Sequence, residues 1–490
     1  MTKGKKETVL FILFILWIPV LAICMCAYFG HNILDIYLPT GWCSDEISYY
    51  KQVEAIIRNG MPQGYWGYNE SRAAIGTFGA WSPLCFFPYV IIGSIIGWTF
   101  ITPVICNLFF MVIAHYIYFK LMKPGKAQMI WLAGLESSVL WVTRYAMSAM
   151  FEPYVLALEL ILIGLVKGKA NYSKKDFFWI YLDIFLLSVV RPYFLVLFFL
   201  PCILIADKRG VRKRIVVSAG MGLSAVLLYM IGKWFLCAEY VRGGGMQSIG
   251  DVIKRAIGYF EEILKLTVKG GATWGYAYAL MFGTLVIGIY KIWYNIKKKQ
   301  KIERNAWVDI YIEIFVFITL AAVLFLYEPY AGSRHMFQTT WLLMLAIVAE
   351  CEENKPKATL LIINVVLFLG YVILGESSWL CSIPFREEAG NQIVVGEELK
   401  QIFGEEAEDT RWQNTVIVNV SEVDYNYVYY LPSYLGIQIS WNEWLEKELS
   451  DAKSHYLITS VSGEVAELAA GEQWKTLYNN EEADICVLFR

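Results

Sequence analysis

Two adjacent carboxylates, Asp45 and Glu46, stand among aromatic residues just beyond the first apolar run of the chain. Three other places carry charge of the same kind of interest: Arg144 with Glu152, Arg191 ahead of Pro192, and the pair Arg334-His335. A carboxylate can accept the proton of an attacking hydroxyl. Guanidinium groups grip a phosphate bidentately and stabilise the charge that grows on it as it leaves. Acids and cations held at a bilayer surface are costly to desolvate and usually have a task.

The elements that must position these residues are membrane elements. The 490 residues are 57% hydrophobic and 18% charged, a balance expected of a polytopic α-helical membrane protein. The net charge of −2 gives no global field that would favour nucleic acid. The ten cysteines show no CxxC spacing, which argues against zinc and thioredoxin-type sites. Cys43 with Cys85 and Cys381 with Cys486 bracket loops, so a disulfide in either pair is one reading and free thiols the other. Mass spectrometry of the non-reduced protein decides it.

Lys3, Lys5 and Lys6 precede an apolar run from Thr8 to Tyr28 with no small-x-small cleavage site, which reads as a retained first span with its N-terminus inside. A first outer loop then runs over residues 29–100. Within it the spacing of Ile47, Tyr50, Val53 and Ile57 predicts a helix over Asp45–Asn59, lying on the membrane surface or across a bundle mouth. Cys85–Gly97 is too short to cross and reads as a re-entrant or horizontal piece. Helix two, Thr102–Phe119, then delivers Lys120, Lys123 and Lys126 to the inside. Helix three ends near Val142, Arg144 and Glu152 share an outer turn, and Pro153 opens helix four. Phe177–Ala206 is flanked by cations on both sides and broken at Arg191-Pro192. It therefore enters and returns as two short helices, with Arg191 facing a polar cavity.

Further spans are expected at Ile215–Leu236, Tyr276–Tyr294, Trp307–Tyr327, Met336–Ala349 and Thr359–Leu374, with an amphipathic helix over Gly250–Val268. Glu328–His335 reads as an outer turn. The count is about eleven spans, N-terminus in and C-terminus out. Residues 1–375 are then the transmembrane domain. Residues 376–490, with β-rich runs at Thr415–Val420, Tyr456–Val461 and Ile485–Phe489, form a small extracytoplasmic α/β domain with a partly parallel sheet.

On these residues the chain resembles the GT-C superfamily of membrane glycosyltransferases that use polyprenyl-phosphate-linked sugars, of the protein mannosyltransferase and aminoarabinose transferase kind. The resemblance rests on Asp45-Glu46 in a long first outer loop and on Ser82-Pro83-Leu84, similar to the His-Pro-Pro-Leu often found there. Glu152-Pro153, Arg191-Pro192, Arg334-His335 and the outer C-terminal domain add to it.

It implies an inverting transfer of one sugar from a polyprenyl-phosphate donor to a glycan, lipid or protein acceptor on the outer face of a plasma membrane, bacterial in type. By resemblance Asp45 is the catalytic base and Glu46 second to it. Glu152 is a further acid that contacts a metal in some members, which leaves a divalent metal open. Arg334 is a phosphate contact, with Arg191, His335 and Arg144 beside it. Trp81-Ser82-Pro83 departs from the pattern by lacking the histidine. Transport of lipid-linked glycans and a non-catalytic role in cell-envelope assembly are the alternatives. Against transport, the sequence shows no internal repeat and its charges gather on one face.

Each position also has a plain structural reading. Ser44, Asp45 and Glu46 suit a helix N-terminus, and Glu152 suits the first turn ahead of Pro153. Arg144, Arg191 and Arg334 suit headgroup anchors. His115 and Glu159, inside apolar spans, read as core partners, and the tyrosines of 425–434 as packing.

Overall fold

The computed structural model describes residues 3–37, 44–60, 66–70, 85–205, 208–231, 248–269, 273–297, 304–326, 329–350, 385–387, 389–403, 415–433 and 435–490. Ser82-Pro83-Leu84, the Thr359–Leu374 span, Cys43, Cys381 and the side chain of Arg334 lie outside the described residues. Cys85 and Cys486 are buried free thiols.

The first apolar run forms α1 (Lys3–Ile15) and α2 (Trp17–Tyr28), bent by 71° at Leu16. α3 (Ser44–Asn59) is the helix expected from the first loop, and β1 (Trp66–Tyr68) follows it. α4 (Phe87–Ile96) is apolar and short, as Cys85–Gly97 suggested. α5 (Thr102–Met122), α6 (Lys126–Ser138), α7 (Leu140–Ala146) and α8 (Glu152–Lys167) follow. α9 (Lys174–Val190) stops at Arg191, which is extended (φ −137°, ψ 109°) as a residue before proline tends to be. The chain continues as a 3₁₀ helix over Pro192–Phe199 and the single turn α10 (Leu200–Ile203).

α11 (Lys208–Ile231), the strongly amphipathic α12 (Ile249–Lys269), α13 (Thr273–Lys297), α14 (Arg304–Leu326) and α15 (Pro329–Val348) complete the described helical body. Among the described residues, three helices are long and apolar enough to cross a membrane, four if the bent α1–α2 pair is one span. The segment expected as a turn over Glu328–His335 is helical from Pro329, so Arg334 and His335 lie inside α15. Proline favours the first helical turn, where its missing N–H is no loss, and here it starts the helix earlier than hydropathy alone suggests.

Beyond the helices lie α16 (Gly390–Phe403) and the strands β2 (Thr415–Asn419), β3 (Gly436–Ser440), β4 (Tyr456–Thr459), β5 (Lys475–Asn480) and β6 (Ile485–Phe489). Two further helices, α17 (Asn442–Glu448) and α18 (Glu464–Gly471), alternate with them. The sheet order is β1-β3-β2-β4-β6-β5. β1, β2, β3 and β4 pair in parallel, while β6 runs antiparallel to β4 and β5.

Alternation drives the packing, since successive side chains of a strand point to opposite faces. Val416, Val418, Ile437 and Ile439 cover one face of the sheet with Val395, Leu399 and the tyrosine-rich 3₁₀ turn Tyr425–Tyr430. Ile417, Leu457 and Leu488 cover the other with Leu445, Leu449, Val465 and Trp474.

β1 comes from the first loop, far away in sequence. It pairs Trp66, Gly67 and Tyr68 with Ile437, Gln438 and Ile439. The turn after it is held by Glu70, whose carboxylate accepts the Lys453 N–H at 2.7 Å and the Ser454 N–H at 2.5 Å.

α3 belongs to both cores. Tyr49 and Val53 pack in the helical core, while Ile47 and Tyr50 pack in the sheet-side core. Its polar side chains are buried with them: Glu46, Ser48, Lys51, Gln52 and Glu54. Lys51 donates to Glu54 at 2.7 Å and to the Leu431 carbonyl. Burial pulls the Lys51 ammonium below its ordinary pKa, and Glu54 opposes that. α3 is thus packed between the helical core and the sheet-side core.

A second buried charge cluster ties the opposite ends of the helices. Lys167 of α8 pairs with Asp309 of α14 and, at 2.7 Å, with Glu350 just past α15. Lys291 of α13 pairs with the same two acids. Replacing Lys167 by Met leaves two acids around one ammonium, and removing one partner of a buried pair costs about 3–5 kcal/mol. Lys167→Met should therefore lower the thermal midpoint in detergent, and Lys167→Met with Asp309→Leu should recover part of the loss. An unchanged midpoint in the single variant contradicts the assignment.

Candidate active site at the α3–α8 junction

The acids of α3 meet the turn between α7 and α8. Glu46 is fully buried and its Oε2 accepts the Ala149 N–H at 3.4 Å, while Asp45 beside it is half-buried. The stripe Glu46, Tyr49, Val53 explains the aim, because positions three and four apart share a helix face. Tyr49 stacks on Phe151 with ring centroids 4.4 Å apart, and Phe151 is the residue that caps the start of α8. Arg144, at the end of α7 on the same turn, is fully buried. Burial pulls its guanidinium down to about 10 and the Glu46 charge opposes this, so it stays cationic at neutral pH.

The turn is shaped by one amide. Asn107 of α5 donates to the carbonyls of Tyr145 (3.2 Å), Ser148 (2.8 Å) and Met150 (3.2 Å). Its own carbonyl accepts the Tyr89 hydroxyl of α4 at 2.6 Å. Ser148 closes the turn further, its hydroxyl donating to Tyr145 O at 2.8 Å and accepting Met150 N–H at 3.1 Å.

Three residues beyond Ala149, Glu152 opens α8, where an acid suits the helix dipole. Its Oε1 takes Arg191 Nη2 at 2.9 Å and Gln338 Nε2 at 3.1 Å. Tyr193 donates to Gln338 Oε1, and its ring meets His335 edge-on at 6.3 Å between centroids. Glu152, Arg191, Gln338 and His335 are all buried.

The structure thus gathers Glu46, Arg144, Glu152, Arg191 and His335 around the 144–152 turn, with Asp45 at its rim. Arg334 is next to His335 in α15, and its side chain is outside the described residues. Gln338, Tyr193, Asn107 and Tyr89 were missed by sequence reasoning. Two of them had a signal: Gln338 sits one turn after His335, and Tyr193 directly follows Arg191-Pro192.

His115, expected as a core partner, pairs with Glu136 at 3.0 Å. Among the described residues no group of three or more His, Cys, Asp or Glu side chains is arranged to hold a metal ion. The Oε1 of Glu152 is engaged by a guanidinium and an amide.

The fold as a whole is similar to that of solved structures. The chain has the fold of the GT-C glycosyltransferases. It is similar to ArnT from Cupriavidus metallidurans bound to undecaprenyl phosphate, at 10% identity and a TM-score of 0.55, over 100% of this chain and 98% of that one. ArnT in the apo state gives the same TM-score over 99% and 98%. The Archaeoglobus fulgidus oligosaccharyltransferase in complex with Zn and sulfate is similar at 11% identity and a TM-score of 0.51, over 94% of this chain and 69% of that one. No family model matches the sequence, and no curated protein matches it. The resemblance carried by the acidic pair and the later motifs is thereby borne out at the level of fold.

Asn107→Leu removes two amide donors shared among three carbonyls and the acceptor of the Tyr89 hydroxyl, three bonds worth about 1 kcal/mol net each, and should destabilise the protein by about 3 kcal/mol. Amide exchange over residues 145–151 should quicken in that variant. Exchange as slow as in the wild type contradicts the turn-holding role.

Proposed function

We propose that the chain is an inverting membrane glycosyltransferase that moves a sugar from a polyprenyl-phosphate carrier to an acceptor on the outer face of the plasma membrane. The observation that carries this reading is the end-to-end likeness in fold to ArnT, solved with undecaprenyl phosphate bound. The charged groups gathered at the 144–152 turn supply the chemistry. On this reading about eleven spans bring the turn, the loop of residues 29–100 and the 376–490 domain to the same outer side.

Asp45 takes the proton of the acceptor hydroxyl. It suits this better than Glu46, because it is half-buried and reachable by an incoming hydroxyl, whereas Glu46 is buried against the turn. The hydroxyl oxygen attacks the anomeric carbon, the bond from that carbon to the phosphate oxygen breaks, and its electron pair leaves with the polyprenyl phosphate. A single displacement inverts the anomeric centre. Arg334 balances the charge gathering on the departing phosphate. Arg191 is committed to Glu152, and this pair with Glu46 and Arg144 positions the turn over which the donor lies.

Asp45→Asn should lower the transfer rate by about 10²–10⁴-fold, the usual contribution of a general base, with polyprenyl-phosphate binding near the wild-type level. Full transfer activity in that variant removes Asp45 from the mechanism. Arg334→Ala should weaken binding of the lipid phosphate about tenfold, a loss of about 1.4 kcal/mol. An unchanged affinity refutes its role.

A further inference from the structure

A cavity of about 680 Å³ opens between α3 and the sheet-bearing part of the chain, and none of residues 144–152 lines it. That volume lies in the range of small-molecule sites. One wall is α3 itself, which presents Tyr50, Glu54 and Arg58 at intervals of four residues. Tyr50 is one helical turn, about 6 Å of rise, from Glu46. The aromatic wall is half-buried Trp98 and Phe100, with Trp98 stacked on Tyr50 at 5.3 Å and donating its indole N–H to the Tyr50 carbonyl at 3.2 Å. The facing wall is the 3₁₀ turn with Tyr429 and Tyr430, and α16 with Glu397 and Lys400.

The charges of this cavity are informative. Arg58 is offset by Glu54 at 3.4 Å and Lys400 by Glu397 at 3.4 Å. Arg386 is exposed, its backbone N–H is held by the Asp35 carbonyl at 2.8 Å, and its guanidinium has no acidic partner among the described residues. The lining therefore carries one positive charge more than its acids offset, beside flat half-buried rings. Rings stack on the apolar face of a pyranose, polar rim groups bond its hydroxyls, and an unmatched guanidinium recognises a carboxylate or phosphate bidentately. An apolar ligand would leave these ionic groups desolvated and unsatisfied.

We propose that this cavity is a glycan-binding cleft for an oligosaccharide bearing an acidic substituent, which it would hold along α3 with one end directed toward Asp45 and Glu46. This deepens the glycosyltransferase reading, on which it rests for the identity of that glycan as the acceptor. Trp98 and Phe100 supply stacking, and Arg386 selects the acidic group. Gly396 keeps the cleft in shape, since a Cβ there would stand 2.3 Å from the Tyr430 ring and drive it out of place.

The test is binding, measured without any donor lipid. The purified full chain in detergent is applied to an array of neutral, uronate-bearing and phosphate-bearing oligosaccharides, and the bound members are titrated by calorimetry. The acidic glycans should bind, and Arg386→Gln, whose thermal midpoint is measured alongside, should weaken them by at least tenfold. Preference for uronate or for phosphate names the acidic group. Failure of every glycan to bind, a preference for neutral ones, or equal affinity in Arg386→Gln overturns the cleft. Failure of the transferase reading looks different: acidic glycans still bind and Arg386→Gln still weakens them, but no polyprenyl phosphate is released from a polyprenyl-phosphate sugar.

Discussion

The burial of a polar helix between two cores is the constraint on which the rest of the structure depends. α3 carries two acids in its first turn and a lysine, a glutamine and a third acid further along, yet it is packed on one side by the helical body and on the other by the sheet-side core. A buried charge is tolerated only when partnered. Glu46 is met by the turn that precedes α8, and Lys51 by Glu54 and the Leu431 carbonyl. The position of the acidic pair is thus set by what the neighbours of α3 offer.

That arrangement makes one turn the meeting point of distant parts of the chain. Asn107 of α5 holds its carbonyls, Tyr89 of α4 holds Asn107, and Phe151 receives Tyr49. At its far end Glu152 draws in Arg191 from the break after α9 and Gln338 from α15. Proline supplies rigidity at two of these places, following Glu152 and Arg191 and limiting the backbone there. β1 adds a tether on the other side, since the first loop contributes a strand to the sheet and Glu70 clasps the backbone of 453–454. The cavity beside Trp98 lies between α3, the 3₁₀ turn of Tyr425–Tyr430 and α16.

Much of this was legible in the sequence where a pattern repeats. Apolar spacing gave α3, the short length of Cys85–Gly97 gave α4, and flanking cations with Arg191-Pro192 gave the break after α9. The runs at 415, 456 and 485 became β2, β4 and β6. The missed strands lack such patterns. Gly-Ile-Gln-Ile-Ser is short and half polar, and Lys-Thr-Leu-Tyr-Asn-Asn lies at the sheet edge with little burial. Trp66–Tyr68 is three residues that become a strand only by pairing with β3. The partners Asn107 and Gln338 were invisible for another reason: an amide inside an apolar helix does not reveal which distant carbonyl or carboxylate it will find. Arg334-His335 was read as part of an outer turn over Glu328–His335, whereas Pro329 starts a helix that includes them.

The central proposal is that Asp45 of α3 and Arg334 of α15 face a single lipid phosphate beside the 144–152 turn. A structure of the full chain in a lipid disc with undecaprenyl phosphate bound tests it most directly. The account predicts the phosphate within hydrogen-bond reach of the Arg334 guanidinium, about 3 Å, with the Asp45 carboxylate open to the same cavity. A phosphate bound on the opposite side of the bundle, or one walled off from Asp45 by packed aliphatic side chains, contradicts it.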